Sequence, residues 1–464
     1  MPQSHYRILM VAPTSFFADY GCHVRILEEA RVLQSLGHEI AIVTYARGRD
    51  LPDLAIHRTP PLPYHASYEV GSSRHKFAFD AYLAPTVLNV ARRFRPHVVH
   101  GHLHEGALLG FPWTLAGGAP LVFDFQGSMT AEMLDHHFLR PGGKREWFFR
   151  QVESAINRLP DAVVTSTERG ALQYNAATPG RHARPIPDVV NPHMFRPGLL
   201  PPDERAALRA QWGIPPDADV VVYLGLLAHY QGVDHLLRAA AAICAVRPNA
   251  HFLVMGYPNV ERYRDMAHAL GLKGRVTFTG RVAYEDSPRM LALGDVAVAP
   301  KLSQTEGAGK LLTYMSMALP TVAFDTLVAR EYLSSLGVYA PAGNIVALTT
   351  ALVRLLDDPQ RADVGERLRA HVLRAFPWAD VGRALVDVYE EVLARRGQLP
   401  RPQGQPGQES SSPLSQYGRE GIGLPPSPNM GEGPGSGRFP VPQPPAEMDA
   451  GGKRPEGVTD REAR

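Results

Sequence analysis

Apolar residues along the first two hundred positions fall into short runs separated by stretches of helical spacing. Ile8-Leu-Met-Val11 predicts a buried strand, and Val24, Leu27, Ala30, Leu33 and Leu36 then recur at helical spacing. Gly37 suits the C-terminal cap of that helix. Glu39-Ile-Ala-Ile-Val-Thr44 predicts a second strand, and His97-Val-Val-His100, Pro120-Leu-Val-Phe-Asp-Phe125 and Asp161-Ala-Val-Val-Thr-Ser166 predict later ones. Short apolar strands alternating with helices predict an α/β fold with a parallel sheet covered on both faces.

The pattern restarts after residue 216. Asp219-Val-Val-Val-Tyr-Leu-Gly225, His251-Phe-Leu-Val-Met255, Arg275-Val-Thr-Phe-Thr279, Val296-Ala-Val-Ala299 and Thr321-Val-Ala-Phe324 predict strands, with a helix through Leu236, Leu237 and Ile243 after the first. Pro192 to Pro216, rich in proline and polar residues, is expected to be a linker. The repeat predicts two doubly wound, Rossmann-like domains facing each other across a cleft, with ligands at the carboxyl ends of the strands. In residues 397–464, 26 of 68 positions are Pro or Gly. That exceeds the roughly 25–30 per cent typical of disordered segments. Few large apolar side chains remain there to offset ordering entropy, so a disordered tail without catalytic role is expected.

Composition narrows the function. A net charge of +2 argues against a dedicated nucleic-acid binder. Two distant cysteines, Cys22 and Cys244, form no disulfide or zinc pattern. No apolar run reaches the roughly 18 residues that span a membrane. The N-terminal residues run directly into a strand without a signal-peptide core, so a cytoplasmic protein is expected.

The most informative segment is Glu306-Gly307-Ala308-Gly309-Lys310-Leu311-Leu312. It lies between the strand ending near Pro300 and a helix predicted over residues 311–318. A glycine turn at a helix start offers backbone N–H groups and the positive end of the helix dipole to an anion. Glu306 adds an acceptor for sugar hydroxyls and Lys310 a cation for phosphate, a combination suited to a nucleotide-sugar. Only six of the 48 basic residues are lysine, and Lys301 and Lys310 are two of them.

The order of these elements resembles the retaining nucleotide-sugar glycosyltransferases of family 4, which have the GT-B fold. The resemblance spans about residues 6–395. It rests on Ala18-Asp-Tyr-Gly21-Cys-His23-Val, Leu36-Gly-His-Glu-Ile, Val98-Val-His100-Gly-His102 and Asp188-Val-Val-Asn191-Pro-His-Met-Phe195-Arg-Pro197. In the second half it rests on Tyr223-Leu-Gly225 through Gln231-Gly232-Val-Asp234, on Gly271 to Gly280, and on Glu306 to Met315. It implies an acceptor domain over 1–196, a donor domain over 197–376, a helix crossing back over 377–396 and the tail over 397–464. The chain departs from the family pattern where Leu226 replaces an arginine and Gln231 a lysine, the two cations that normally hold the donor diphosphate. Thr313 stands in place of a second glutamate and Gln126 in place of a histidine.

The resemblance implies transfer of a hexose, with retention, from a nucleotide diphosphate sugar to a saccharide or lipid-linked acceptor in envelope glycan synthesis. A non-catalytic nucleotide-sugar or glycan-binding protein and a nucleotide-sugar isomerase are the alternatives. Glu306 and Lys310 are the expected catalytic residues. Gly225, Gln231, Lys301, Gly307, Ala308, Gly309, Leu311, Leu312 and Thr313 are expected at the donor, and Asp19, Tyr20, Gly21, His102 and Gln126 at the acceptor. Neither a cofactor nor a metal is expected: His100, His102 and His104 alternate, but the strand is expected to end near His100. Arg140, Lys144, Arg145 and Arg150 interleave with Trp147, Phe148 and Phe149, which allows peripheral contact with an anionic membrane at its inner face.

Overall fold

A computed structural model describes residues 5–61, 76–135, 138–303 and 307–399. Glu306 and the expected disorder beyond residue 399 lie outside the described residues. The first sheet comprises β1 (Arg7–Ala12), β2 (Glu39–Thr44), β3 (Ala55–Arg58), β4 (Val98–His102), β5 (Leu121–Phe125), β6 (Ala162–Thr165) and β7 (Ala183–Pro185). Its order is β3-β2-β1-β4-β5-β6-β7, with parallel pairing throughout. The second comprises β8 (Asp219–Leu224), β9 (Ala250–Met255), β10 (Val276–Gly280), β11 (Val296–Ala299), β12 (Thr321–Asp325) and β13 (Val338–Pro341). Its order is β10-β9-β8-β11-β12-β13, again parallel.

Both sheets reverse winding direction next to their first strand, between β1 and β4 and between β8 and β11. Loops that leave adjacent strands in opposite directions open a crevice there, the usual ligand position in such sheets. The segments singled out from sequence follow these four strands. Strands β1, β4, β5, β9 and β11 are buried along nearly their whole length, which explains the apolar runs of β1 and β11; β4, β5 and β9 also bury His100, His102, Asp124 and His251.

Three departures have local causes. The helix Pro202–Gln211 interrupts the expected linker, where Pro202 suits a helix start and Arg205 and Arg209 anchor to Asp295 at 2.9 and 3.0 Å. Strand β4 runs on to His102, two residues beyond its expected end, because Gly101 and His102 pair with Phe123 and Asp124 of β5. The short strand β3 carries no apolar run because it is largely solvent-facing.

The last long helix, Trp378–Arg395, packs against the first lobe's helix Gly21–Ser35. Gly382 permits the close approach, since a Cβ there would stand 2.5 Å from a Val32 methyl. Val381, Leu385, Val388, Tyr389 and Val392 bury their side chains on this face. Phe17, Tyr284 and Phe195 continue one apolar core between the lobes, with ring centroids 6.1 and 5.3 Å apart.

Gly232 is one of the backbone positions least open to change among the described residues. It has φ of 77°, and a Cβ would fall 1.8 Å from the carbonyl oxygen of Pro300. Gly232→Ala should therefore lower unfolding stability by about 1–3 kcal/mol, the usual cost of forced overpacking. Urea denaturation checks this; an unchanged midpoint would show that the Pro300 segment yields freely.

Candidate active site

The second lobe's side of the crevice lies at the carboxyl ends of β8 and β11. Lys310 opens the short helix Lys310–Ser316, and its ammonium turns back toward the end of β8. Nζ donates to Gln231 Oε1 at 2.9 Å and to the Tyr223 hydroxyl at 3.4 Å, and it lies 4.5 Å above the Tyr223 ring centroid. A ring face and two oxygens suit a cation that has left bulk water. Gly225 makes this possible, since a Cβ on it would stand 2.5 Å from Nζ. The Gln231 amide contributes no charge, but it places one.

Lys301 is largely buried, with 9 % of its surface exposed, and donates to the carbonyl oxygen of Gly307 at 2.7 Å. The Lys301 ammonium thus points into the protein at the glycine turn, and that of Lys310 toward Gln231 and Tyr223. Leu311, Leu312 and Thr313 are buried, and their N–H groups close turns onto Ala308 and Gly309 at 2.8, 3.0 and 3.3 Å. Their side chains do not face the crevice as donor contacts: Leu311 and Leu312 belong to the core, and Thr313 Oγ1 bonds back to the Gly309 carbonyl at 3.4 Å. The first lobe stands against this turn. A Cβ on Gly307 would lie 3.0 Å from both Asp188 Oδ2 and Ser166 Oγ, and one on Gly309 would lie 3.4 Å from Asp188 Oδ2. A carboxylate of the protein already occupies the neighbourhood suited to an anion.

Asp188 belongs to a buried ionic cluster around Arg25. The guanidinium reaches Asp124 at 2.9 Å, Glu29 at 3.0 Å and Asp188 at 3.0 Å, and it donates to the Ile186 carbonyl at 3.2 Å. Asp124 also bonds His102 Nδ1 at 3.0 Å and accepts from Gln126 Nε2 at 2.7 Å. Burial opposes ionisation of Asp124, yet Arg25 and His102 together hold its carboxyl well below the usual range. Burial dominates for Glu29, and the negative charges of Asp124 and Asp188 add to it, so its carboxyl is pushed up to about 8 despite Arg25. One guanidinium does not hold three ionised carboxylates out of water.

His102 has no exposed surface and faces this cluster. His100 stacks on it at 4.5 Å and meets the Tyr389 hydroxyl at 2.7 Å, while His104 packs among Phe123 and Phe125. Burial lowers the His100 pKa well below its ordinary value. Gln126 stays partly exposed at the end of β5.

The loop after β1 carries Asp19, Tyr20 and Gly21. Tyr20 lies with its ring 4.0 Å from that of His23 and its hydroxyl 3.1 Å from Thr14 Oγ1. Gly21 begins the helix, and a Cβ there would meet nothing within 4 Å. Asp19 does not present its carboxylate to the crevice: it is 3 % exposed and bonded to Arg49, Arg281 and the Tyr284 amide.

Two family models match this chain. "Glycosyl transferase 4-like domain" covers residues 20–188, and "Glycosyl transferases group 1" covers residues 204–371. The chain is 28 % identical to the D-inositol 3-phosphate glycosyltransferase 2 of Catenulispora acidiphila, over 80 % of this chain and 90 % of that protein. It is 26 % identical to the phosphatidyl-myo-inositol mannosyltransferase of Mycobacterium leprae, over 83 % and 97 %. The crystal structure of Anabaena HepE in complex with UDP-glucose superimposes with a TM-score of 0.67 at 17 % identity, covering 83 % of this chain and all of that one. The chain belongs to glycosyltransferase family 4 and has the GT-B fold. It is a glycosyltransferase.

Sequence reasoning did not single out Tyr223, Arg25, Glu29, Asp124, Ser166 or Asp188 as site residues. Arg25 and Glu29 stand four residues apart on one helix, a visible pairing signal, but nothing local announces that Asp124 and Asp188 meet them.

The Glu29 shift has a testable consequence. Its folded pKa near 8 exceeds the ordinary 4.5, so the stability it contributes is complete below pH 4.5 and is lost as pH rises through 8. Glu29→Gln keeps the shape without the proton. The melting temperature of the native protein should fall relative to Glu29→Gln between about pH 5 and 8. A constant difference across that window would show Glu29 to be ionised throughout.

Proposed function

We propose that this glycosyltransferase moves a hexose from a nucleotide diphosphate sugar to a hydroxyl of a saccharide or lipid-linked acceptor, with retention at the anomeric carbon. The observation that carries this reading is the Lys310 ammonium, set between Gly225 and Gln231 beside the Gly307–Gly309 turn. Positions 226 and 231 lack the two cations expected there from the family resemblance, and a lysine from the helix after β11 in the same lobe brings charge to the same spot. A departing diphosphate needs that charge, because fixed donors aimed at developing negative charge are the largest electrostatic aid to such a step.

The acceptor oxygen then attacks the face from which the diphosphate leaves. Glu306 orients the sugar hydroxyls, and lobe contact excludes water that would hydrolyse the donor. Gln126 is placed to hold an acceptor hydroxyl but not to deprotonate it, since an amide does not titrate. The donor enters as substrate, and the lysine and turn amides meet the leaving-group charge without a cofactor. The names of the relatives, an inositol 3-phosphate glycosyltransferase and a phosphatidyl-myo-inositol mannosyltransferase, support a polar or lipid-borne hydroxyl acceptor, and envelope glycan synthesis is the setting proposed for it.

The helix Lys144–Ile156 leaves Trp147 and Phe148 65 % and 55 % exposed beside Lys144, Arg145 and Arg150. Aromatic rings flanked by cations suit an anionic bilayer surface, which supports peripheral contact with the inner face of the membrane. No helix among the described residues is long and apolar enough to cross a membrane.

A thermal-shift screen with nucleotide diphosphate sugars identifies the donor. With that donor, Lys310→Met should lower kcat/KM by roughly 10- to 150-fold, the equivalent of about 1.5–3 kcal/mol for one charge-assisted hydrogen bond. Lys310→Arg should retain part of the activity. Full activity in Lys310→Met would remove the lysine from diphosphate binding.

A further inference from the structure

We propose that Asp19 is a latch that holds the two lobes together at one side of the crevice, a positioning role distinct from acceptor contact and resting on the transfer reading above. Asp19 sits in the loop after β1, in the left-handed region at φ of 56°, which aspartate tolerates better than most side chains. Its Oδ1 accepts from Arg49 Nη2 at 2.9 Å and from the Tyr284 amide at 2.9 Å. Its Oδ2 accepts from Arg281 Nε at 2.9 Å. Arg49 belongs to the first lobe, while Arg281 and Tyr284 follow β10 in the second. One carboxylate therefore serves donors from both lobes.

The surroundings are built for the same contact. Arg49 also reaches Glu285 of the second lobe at 2.5 Å, so two guanidiniums and two carboxylates balance. The Arg281 guanidinium lies 5.1 Å from the Tyr257 ring centroid, and the Tyr257 hydroxyl donates to the Ala18 carbonyl, a second bond across the lobes one residue from Asp19. Arg49 and Arg281 are 36 % and 44 % exposed, but Asp19 is 3 % exposed. The latch is solvated on its cationic side and shielded at the carboxylate, where charge-assisted bonds are least screened.

If the lobes separate, Asp19 keeps only Arg49, and Arg281 and the Tyr284 amide return to water. The loop after β1 is thereby ordered by the second lobe. Since that loop borders the crevice at the winding reversal, its order and lobe closure rise and fall together.

Hydrogen exchange read by mass spectrometry on the full chain, without ligand, tests the latch. Asp19→Asn and Arg281→Gln should each speed exchange about tenfold in peptides over residues 15–21 and over residues 280–286, the scale of one lost charge-assisted bond. The decisive reading is the peptide in the lobe that was not altered. Arg281→Lys, which keeps the charge, should restore most of the protection over residues 15–21. Addition of UDP should slow exchange in both peptides of the native protein and less so in Asp19→Asn. If Arg281→Gln leaves residues 15–21 unchanged, the latch is wrong. If Arg281→Lys protects no better than Arg281→Gln, a charge-dependent latch is also wrong. The ligand-free comparison holds whether or not UDP binds, so a failed donor assignment and a failed latch give different results.

Discussion

One buried guanidinium organises the crevice. Arg25 joins the first lobe's helix Gly21–Ser35 to Asp124 at the end of β5 and to Asp188 in the segment leaving that lobe. Asp188 in turn stands against the glycine turn of the second lobe and receives the Tyr332 hydroxyl at 3.3 Å. Removing the cation would leave the Asp124 and Asp188 carboxylates without their shared counter-charge, a cost of several kcal/mol. The positions of Gln126, His102 and the glycine turn are thus linked through ions with little room to move.

At the ends of β8 and β11, geometry brings a cation to a spot where the neighbouring positions 226 and 231 carry none. A lysine at the start of a helix reaches back over Tyr223 because Gly225 leaves room and Gln231 offers an acceptor. An alanine at position 225 would exclude the ammonium even with every polar partner in place. The ring face of Tyr223 replaces part of the hydration that the lysine gives up.

Parts of the site were legible from residue order, and the illegible parts share a cause. The glycine turn, the helix after it and the place of Lys310 at that helix start could be read because each is local: a strand end, small residues and a cation within a few positions. Asp19 was legible as part of the loop after β1 but not in its partners, because Arg49 comes from the loop after β2 and Arg281 and Tyr284 from the loop after β10. The helix Pro202–Gln211 was hidden by the prolines that flank it. The persistence of β4 to His102 depended on pairing with β5, which no single run of residues encodes.

The sequence by itself determined the two parallel sheets, since buried strands need unbroken apolar runs and their covering helices need a three-to-four-residue period. Tertiary structure alone decided which charges meet: Arg25 with three carboxylates, Lys310 with Gln231, and Asp19 with arginines of both lobes. Electrostatic partners are chosen by distance in space and by exclusion of water, and neither is a property of neighbouring residues along the chain.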